Sequence, residues 1–187
     1  RKYICSGNHY DLTGTSLNDE YGHGTNIAGI IAKRIDPRKT CLLIIKYYLS
    51  DKTDYTREIQ AINLAVKEDV KFINFSSGGE NAHQQERKAI ETALEKGITF
   101  VTAVGNAGIN LSENCFYYPA CYGFLTTKFR VVGNGKGPNK RNPTSNYGHP
   151  VTDWRDGFQV TGFGVTQSGS SQATAILTGE LAAKAER

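Results

Sequence analysis

Only four histidines occur, at positions 9, 23, 83 and 149, so histidine chemistry has few places to be sited. His9 and His149 stand in polar loop sequence and His83 at a polar helix start, where a solvated ring is the ordinary role. His23 differs. It lies in Tyr21-Gly22-His23-Gly24-Thr25, flanked by glycines and followed by the apolar helix-like residues 27–32. A ring there is accessible and rigidly held, which suits a general base working near neutral pH. A capping histidine at a tight turn is the competing role. The run Gly169-Ser170-Ser171-Gln172-Ala173 sets hydroxyls at a glycine turn leading into an apolar helix. A helix start aims backbone N–H groups outward, which favours a serine nucleophile generating an oxyanion. The plainer alternative makes Ser170 or Ser171 an N-cap. Asn106, in Gly105-Asn106-Ala107-Gly108, supplies a side-chain amide suited to donate to such an oxyanion.

The elements that must hold these residues alternate in type. Residues 40–49 (TCLLIIKYYL), 70–75 (VKFINF) and 98–104 (ITFVTAV) read as buried strands, with a fourth around 130–132. Between them, residues 56–69 and 81–96 carry apolar positions at helical spacing, with Thr56 as N-cap of the first and Gly97 closing the second. Strand, helix, strand, helix, strand is the pattern of an α/β fold with a parallel sheet covered by helices. Such sheets bind ligands outside the carboxyl ends of their strands. Here those ends read Ser76-Ser77-Gly78-Gly79 and Gly105-Asn106-Ala107-Gly108, small and polar enough for a substrate backbone to come close. Ordinary strand-to-loop turns would also look like this.

Composition narrows the partners. The 187 residues suit one domain spanning 1–187, and 39% hydrophobic content can build a core. A formal net charge of +4 is mild and scattered, and the densest basic stretch, 136–141, lies among Gly, Pro and Asn. No nucleic-acid partner is therefore expected. No apolar run reaches membrane-span length, so no membrane partner is expected either. The cysteines at 5, 41, 115 and 121 permit two disulfides or free thiols, with Cys41 readable as a small hydrophobe in its strand. Cys115 and Cys121 bracket a turn and could pair. None has CxxC spacing, so zinc and redox chemistry are disfavoured. With no Met anywhere and a helix-like run at its end, the chain reads as processed, trimmed or a fragment.

Taken together the motifs resemble those of the subtilisin-like serine peptidases. YGHGTNIAGIIA (21–32) is similar to the family's histidine motif and KFINFSSGG (71–79) to its substrate-binding strand. VTAVGNAG (101–108) resembles its oxyanion-asparagine motif and GSSQATAILTG (169–179) its nucleophile motif. YPACYG (118–123) and TSNYG (144–148) match lesser landmarks in the right order, so the resemblance covers about residues 11–179. It implies a three-layer α/β fold and endopeptidase activity through an acyl-enzyme. By matching positions, Ser171 would be the nucleophile, His23 the base, and Asn106 with the Ser171 N–H the oxyanion hole. Ser76, Ser77 and Gly78 would bind an extended polypeptide substrate as an added strand, and Ala103, Val104 and Gly105 would wall its pocket. A propeptide is a possible second partner. No cofactor is implied and no metal-ligand cluster is visible. Compartment stays open, with secretion slightly favoured by family habit.

Two departures from the family pattern bear on function. The expected aspartate motif, D-S-G or D-T-G on a strand before the histidine, is missing; Cys5-Ser6-Gly7 imitates only its shape. Asp11 and Asp19 are not its substitutes on this reading, and the aspartate strand is expected upstream of Arg1. A binding or regulatory module that kept the cleft and lost the acid is the alternative function. In the nucleophile motif, Gln172 stands where the family usually has Met, Ser170 where it has Thr and Ala175 where it has Pro.

Overall fold

The computed structural model describes residues 2–7, 9–49 and 54–187. Strand β1 (Tyr10–Asp11) is followed by helix α1 (His23–Ala32), strand β2 (Ile45–Lys46) and helix α2 (Tyr55–Lys67). Next come β3 (Phe72–Phe75), α3 (Gln84–Glu95), β4 (Thr99–Ala103), β5 (Phe129–Asn134) and β6 (Asp153–Arg155). A hairpin, β7 (Val160–Gly162) and β8 (Val165–Gln167), precedes the long helix α4 (Ser170–Ala185). Strands β3-β4-β5-β6 form one all-parallel sheet in that order, while β1 and β2 form a separate parallel pair.

The fold is α/β, with helices on both faces of the parallel sheet. Period-2 alternation decides which side chain meets which layer. Phe100 and Val131 pack with Ile62, Ala65, Ile90 and Ala93 of α2 and α3. Their neighbours Val101 and Val132 turn the other way, onto Ala173 and Leu177 of α4. Strands buried on both faces must be apolar throughout, which is why they read as unbroken hydrophobic runs. Helix α1 lies beyond, against α4 through Ile27, Ile30, Ile31 and Ile176.

Several elements differ from the sequence-based expectation. The run 40–49 shortens to two residues of β2 plus a bridge from Leu42 to Ile4, and among the described residues it finds a partner on one edge only. Asp54, not Thr56, caps α2: its carboxylate accepts the N–H groups of Thr56 (3.0 Å) and Arg57 (3.2 Å). Helix α3 begins at Gln84 and ends, as expected, before Gly97 in left-handed conformation at φ 81°. Cys41 is no buried hydrophobe. It is exposed and bonded to Cys5, which the Ile4–Leu42 bridge brings to a Cα separation of 4.9 Å. Cys115 and Cys121 form the second disulfide.

Candidate active site

His23 opens α1 directly after Gly22, whose φ of 73° a side chain would strain. The helix has no side-chain cap at Gly22 itself. Asp19 supplies one from outside: Oδ1 accepts the N–H groups of Tyr21 (3.2 Å) and Gly22 (2.9 Å), and Oδ2 that of Thr25 (2.7 Å). Burial pushes the Asp19 carboxyl up, but these amides and the Thr25 hydroxyl outweigh it and hold the pKa below the ordinary value. Asp19 is thus committed to backbone as a capping carboxylate, in keeping with a loop residue beside the histidine. Asp11 is likewise turned onto its own loop, accepting the N–H of Thr13 at 2.9 Å. The His23 ring keeps access to solvent. The protein packed around it still desolvates it enough to lower its pKa, against the opposite pull of Asp19. An imidazole kept neutral near pH 7 is the chemical consequence, which is what a general base needs.

The N-terminus of α4 gathers the other candidates. Gly169 is the N-cap, so neither Ser170 nor Ser171 caps the helix. The buried Ser170 instead accepts the Gly105 N–H at its Oγ (3.2 Å) and donates its own N–H to Asn106 Oδ1 (2.8 Å). That second bond turns the Asn106 amide so that its Nδ2 is left without a protein partner among the described residues. An exposed amide donor beside a nucleophile is the requirement of an oxyanion site. Ser171 is half-buried and locked to Ser76 in a reciprocal pair. Ser171 Oγ donates to the Ser76 carbonyl (3.2 Å), and Ser76 Oγ donates to the Ser171 carbonyl (3.0 Å). Asn74 supports the pair, donating to Ser76 Oγ while accepting from Thr178 of α4.

Of the residues singled out from sequence, Ser76, Asn106 and Ser171 meet at one helix end. His23 begins the neighbouring helix, and no hydrogen bond joins it to Ser171 among the described residues; such bonds tighten when substrate is bound. Gly78 is exposed at the rim, where a Cβ would come within 2.6 Å of the Tyr117 ring and 2.7 Å of the Tyr118 carbonyl. Gly79 pairs with Tyr118 as an antiparallel bridge, and Ser77, just before Gly78, is half-buried. Ala103, Val104 and Gly105 are buried, Val104 with its side chain in the α2–α3 core. Asn146 pins this turn, donating to the Val104 carbonyl (3.0 Å) and accepting the N–H groups of Ala107 and Ile109. Sequence reasoning missed Asn146, Asp54 and the capping role of Asp19. It also missed Asn26, which is bonded to Gln172 across α1 and α4. Gln172 in the usual place of Met was the one legible sign of that last bond.

Comparisons with known proteins bear on the family and the fold. The subtilase family model matches residues 2–186. Subtilisin-like protease 2 of Arthroderma otae is 31% identical over 190 aligned residues, covering 93% of this chain and 43% of that protein. Subtilisin DY of Bacillus licheniformis is 31% identical over 120 residues, covering 59% of this chain and 44% of that one. In fold, the chain is similar to a cold adapted subtilisin-like serine proteinase with a TM-score of 0.71 at 22% identity, covering 87% of this chain and 60% of that structure. It is likewise similar to the prenylagaramide maturation protease PagA, with a TM-score of 0.73 at 24% identity, covering 94% and 66%. The chain belongs to the subtilase family. It spans less than half the length of these two curated relatives.

Proposed function

We propose that the protein is a serine endopeptidase in which Ser171 attacks the scissile carbonyl of an extended polypeptide. As the Oγ–C bond forms, the Oγ proton passes to the His23 imidazole. The resulting oxyanion accepts hydrogen bonds from Asn106 Nδ2 and the Ser171 N–H. Collapse breaks the C–N bond, and the proton held by His23 goes to the departing amine. Water then attacks the acyl-enzyme with His23 again taking the proton, and Ser171 leaves with it. Ser76 to Gly78 receive the substrate backbone as an added strand, and the 103–105 turn backs the pocket. The observation that carries this reading is the bond from the Ser170 N–H to Asn106 Oδ1, which leaves the Asn106 donor without a partner among the described residues, beside Ser171.

The carboxylate that would orient His23 lies, on this reading, outside these 187 residues, on a strand seated between β2 and β3. Two observations support that seat. Each of these strands pairs on one side only among the described residues. Yet Tyr47 after β2 stacks on Phe75 of β3 with ring centroids 6.1 Å apart. The stacking brings β2 and β3 alongside one another with no ladder between them among the described residues.

A second reading, a peptide-binding module without hydrolysis, draws on the commitment of Asp19 to backbone amides. Incubation of the full-length protein with a fluorophosphonate separates the two. A single adduct on Ser171, absent from Ser171→Ala, is expected for the enzyme. A folded full-length protein that takes no adduct and cleaves no peptide would establish the binding module instead.

A further inference from the structure

A buried chain of amides joins the helices that begin with His23 and with Ser170-Ser171. Asn26 lies one turn beyond His23 on α1, and Gln172 directly follows Ser171 on α4. They are 0% and 2% exposed. Asn26 Nδ2 donates to two carbonyls of the β7–β8 hairpin, Val160 at 2.9 Å and Val165 at 2.7 Å. Its Oδ1 accepts from Gln172 Nε2 at 2.9 Å, and the same Nε2 reaches Gln167 Oε1 on β8 at 3.3 Å. The partners themselves set which way each amide faces. Carbonyl oxygens can only accept, so Asn26 must turn its nitrogen to the hairpin and its oxygen to Gln172, which must then present nitrogen.

We propose that Asn26 and Gln172 are positioning residues whose mutual hydrogen bond sets the spacing of His23 against Ser171. This rests on the peptidase reading above, in which neither side chain takes part in the chemistry. Three features fit a strut better than ordinary core filling. Both N–H donors of each amide are used, so the link has one geometry and no slack. It spans two helices at the residues adjacent to the reacting groups, three positions from His23 and one from Ser171. Gly29, one turn further along α1, lets the hairpin backbone at Gly162 and Phe163 close onto the helix, where any Cβ would overlap it. The hairpin therefore braces the Asn26 end while α4 carries the Gln172 end.

The test is the rate of fluorophosphonate labelling of Ser171 in the full-length protein, with kcat and KM for a peptide substrate alongside. Gln172→Leu removes the donors and leaves Asn26 Oδ1 unpaired. A displacement of about 1 Å at reacting groups loses on the order of 10²-fold in rate, so labelling and kcat should fall by roughly that factor with KM unchanged. Gln172→Glu adds a readout that a merely structural role would not move. Ionised, it sets oxygen against the oxygens of Asn26 and Gln167; protonated, its hydroxyl donates to Asn26 Oδ1 and restores the strut. Burial favours the protonated form, so the ratio of its labelling rate to wild type should lie near one at acidic to neutral pH and fall as pH is raised into the alkaline range. A folded Gln172→Leu protein labelled at the wild-type rate overturns the proposal. So does a Gln172→Glu ratio that is flat with pH, which decides the matter even if the leucine variant does not fold. Failure of the wild-type protein to label overturns the peptidase reading instead, and the strut with it.

Discussion

At the residue scale, the polar groups of the candidate site are partnered to one another, and one amide donor is left over among the described residues. Asn106 is the clearest instance. Its Oδ1 is occupied by the Ser170 N–H while its Nδ2 has no protein partner among the described residues, so on the proposed mechanism a developing negative charge would meet a donor that need not reorganise. Asn106→Leu should lower kcat by about 10²–10³-fold with little change in KM, measured in steady-state peptide hydrolysis. Asp19 makes a different prediction. Its charge raises the His23 pKa while burial lowers it more. Asp19→Asn removes the raising influence, so His23 stays neutral to lower pH and the acidic limb of the labelling profile should move to lower pH. The same change weakens the cap on α1 by about 1 kcal/mol, read as a drop in denaturant midpoint.

At the scale of elements, helices α2 and α3 meet across a buried pair of acids. Glu58 and Glu86, in the first turns of the two helices, are both buried, and Tyr122 donates its hydroxyl to Glu86. Burial raises the Glu58 pKa first, and the shared hydrogen bond and charge of Glu86 raise it further, far above the ordinary 4.5. The folded protein therefore keeps a proton that the unfolded chain gives up above pH ~4.5. Stability should be fullest below that pH and decline as pH rises toward the elevated folded value. Glu58→Gln, which keeps the shape without the titration, should flatten Tm against pH between about 5 and 9. Helix α1 depends on close approach instead. Gly29→Ala forces a Cβ into the backbone of Gly162 and Phe163, which should cost about 3 kcal/mol in chemical denaturation and loosen the hairpin from the helix.

At the scale of the whole molecule, the Cys5–Cys41 disulfide closes a loop that contains all of α1. Its two cysteines are 36 positions apart. A cross-link closing a loop of that size removes about 4 kcal/mol of unfolded-state entropy in the chain-entropy model. Replacing both cysteines by serine should lower stability by an amount of that order, measured in guanidinium. Peptide mapping without reduction should recover the 5–41 and 115–121 pairs. The disulfide, the β1–β2 pair and α1 together form the flank on which His23 is carried, while the β3–β6 sheet and α4 carry Ser76, Asn106 and Ser171. The two flanks meet through Ile27, Ile30, Ile31 and Ile176, and through the Asn26–Gln172 bond.

What the sequence by itself determined was the class of fold, the order of its motifs and which residues are chemically apt. Periodicity is a local property: the apolar runs of β3, β4 and β5 and the 3.6-residue spacing in α2 and α3 depend on neighbours close along the chain. Motif residues such as His23, Asn106 and Ser171 stand out through their immediate glycine and helix-start contexts for the same reason. Tertiary structure alone decided the polar partners. Gln172 meets Asn26 across 146 positions, Ser171 meets Ser76 across 95, and Glu58 is buried beside Glu86 instead of facing water. A buried amide, hydroxyl or carboxyl must find a partner within ~3 Å, and which one it finds depends on how the layers stack. Cys41 makes the same point: its residue type permitted a thiol or a bridge, and only the pairing of Ile4 with Leu42 brought Cys5 within reach.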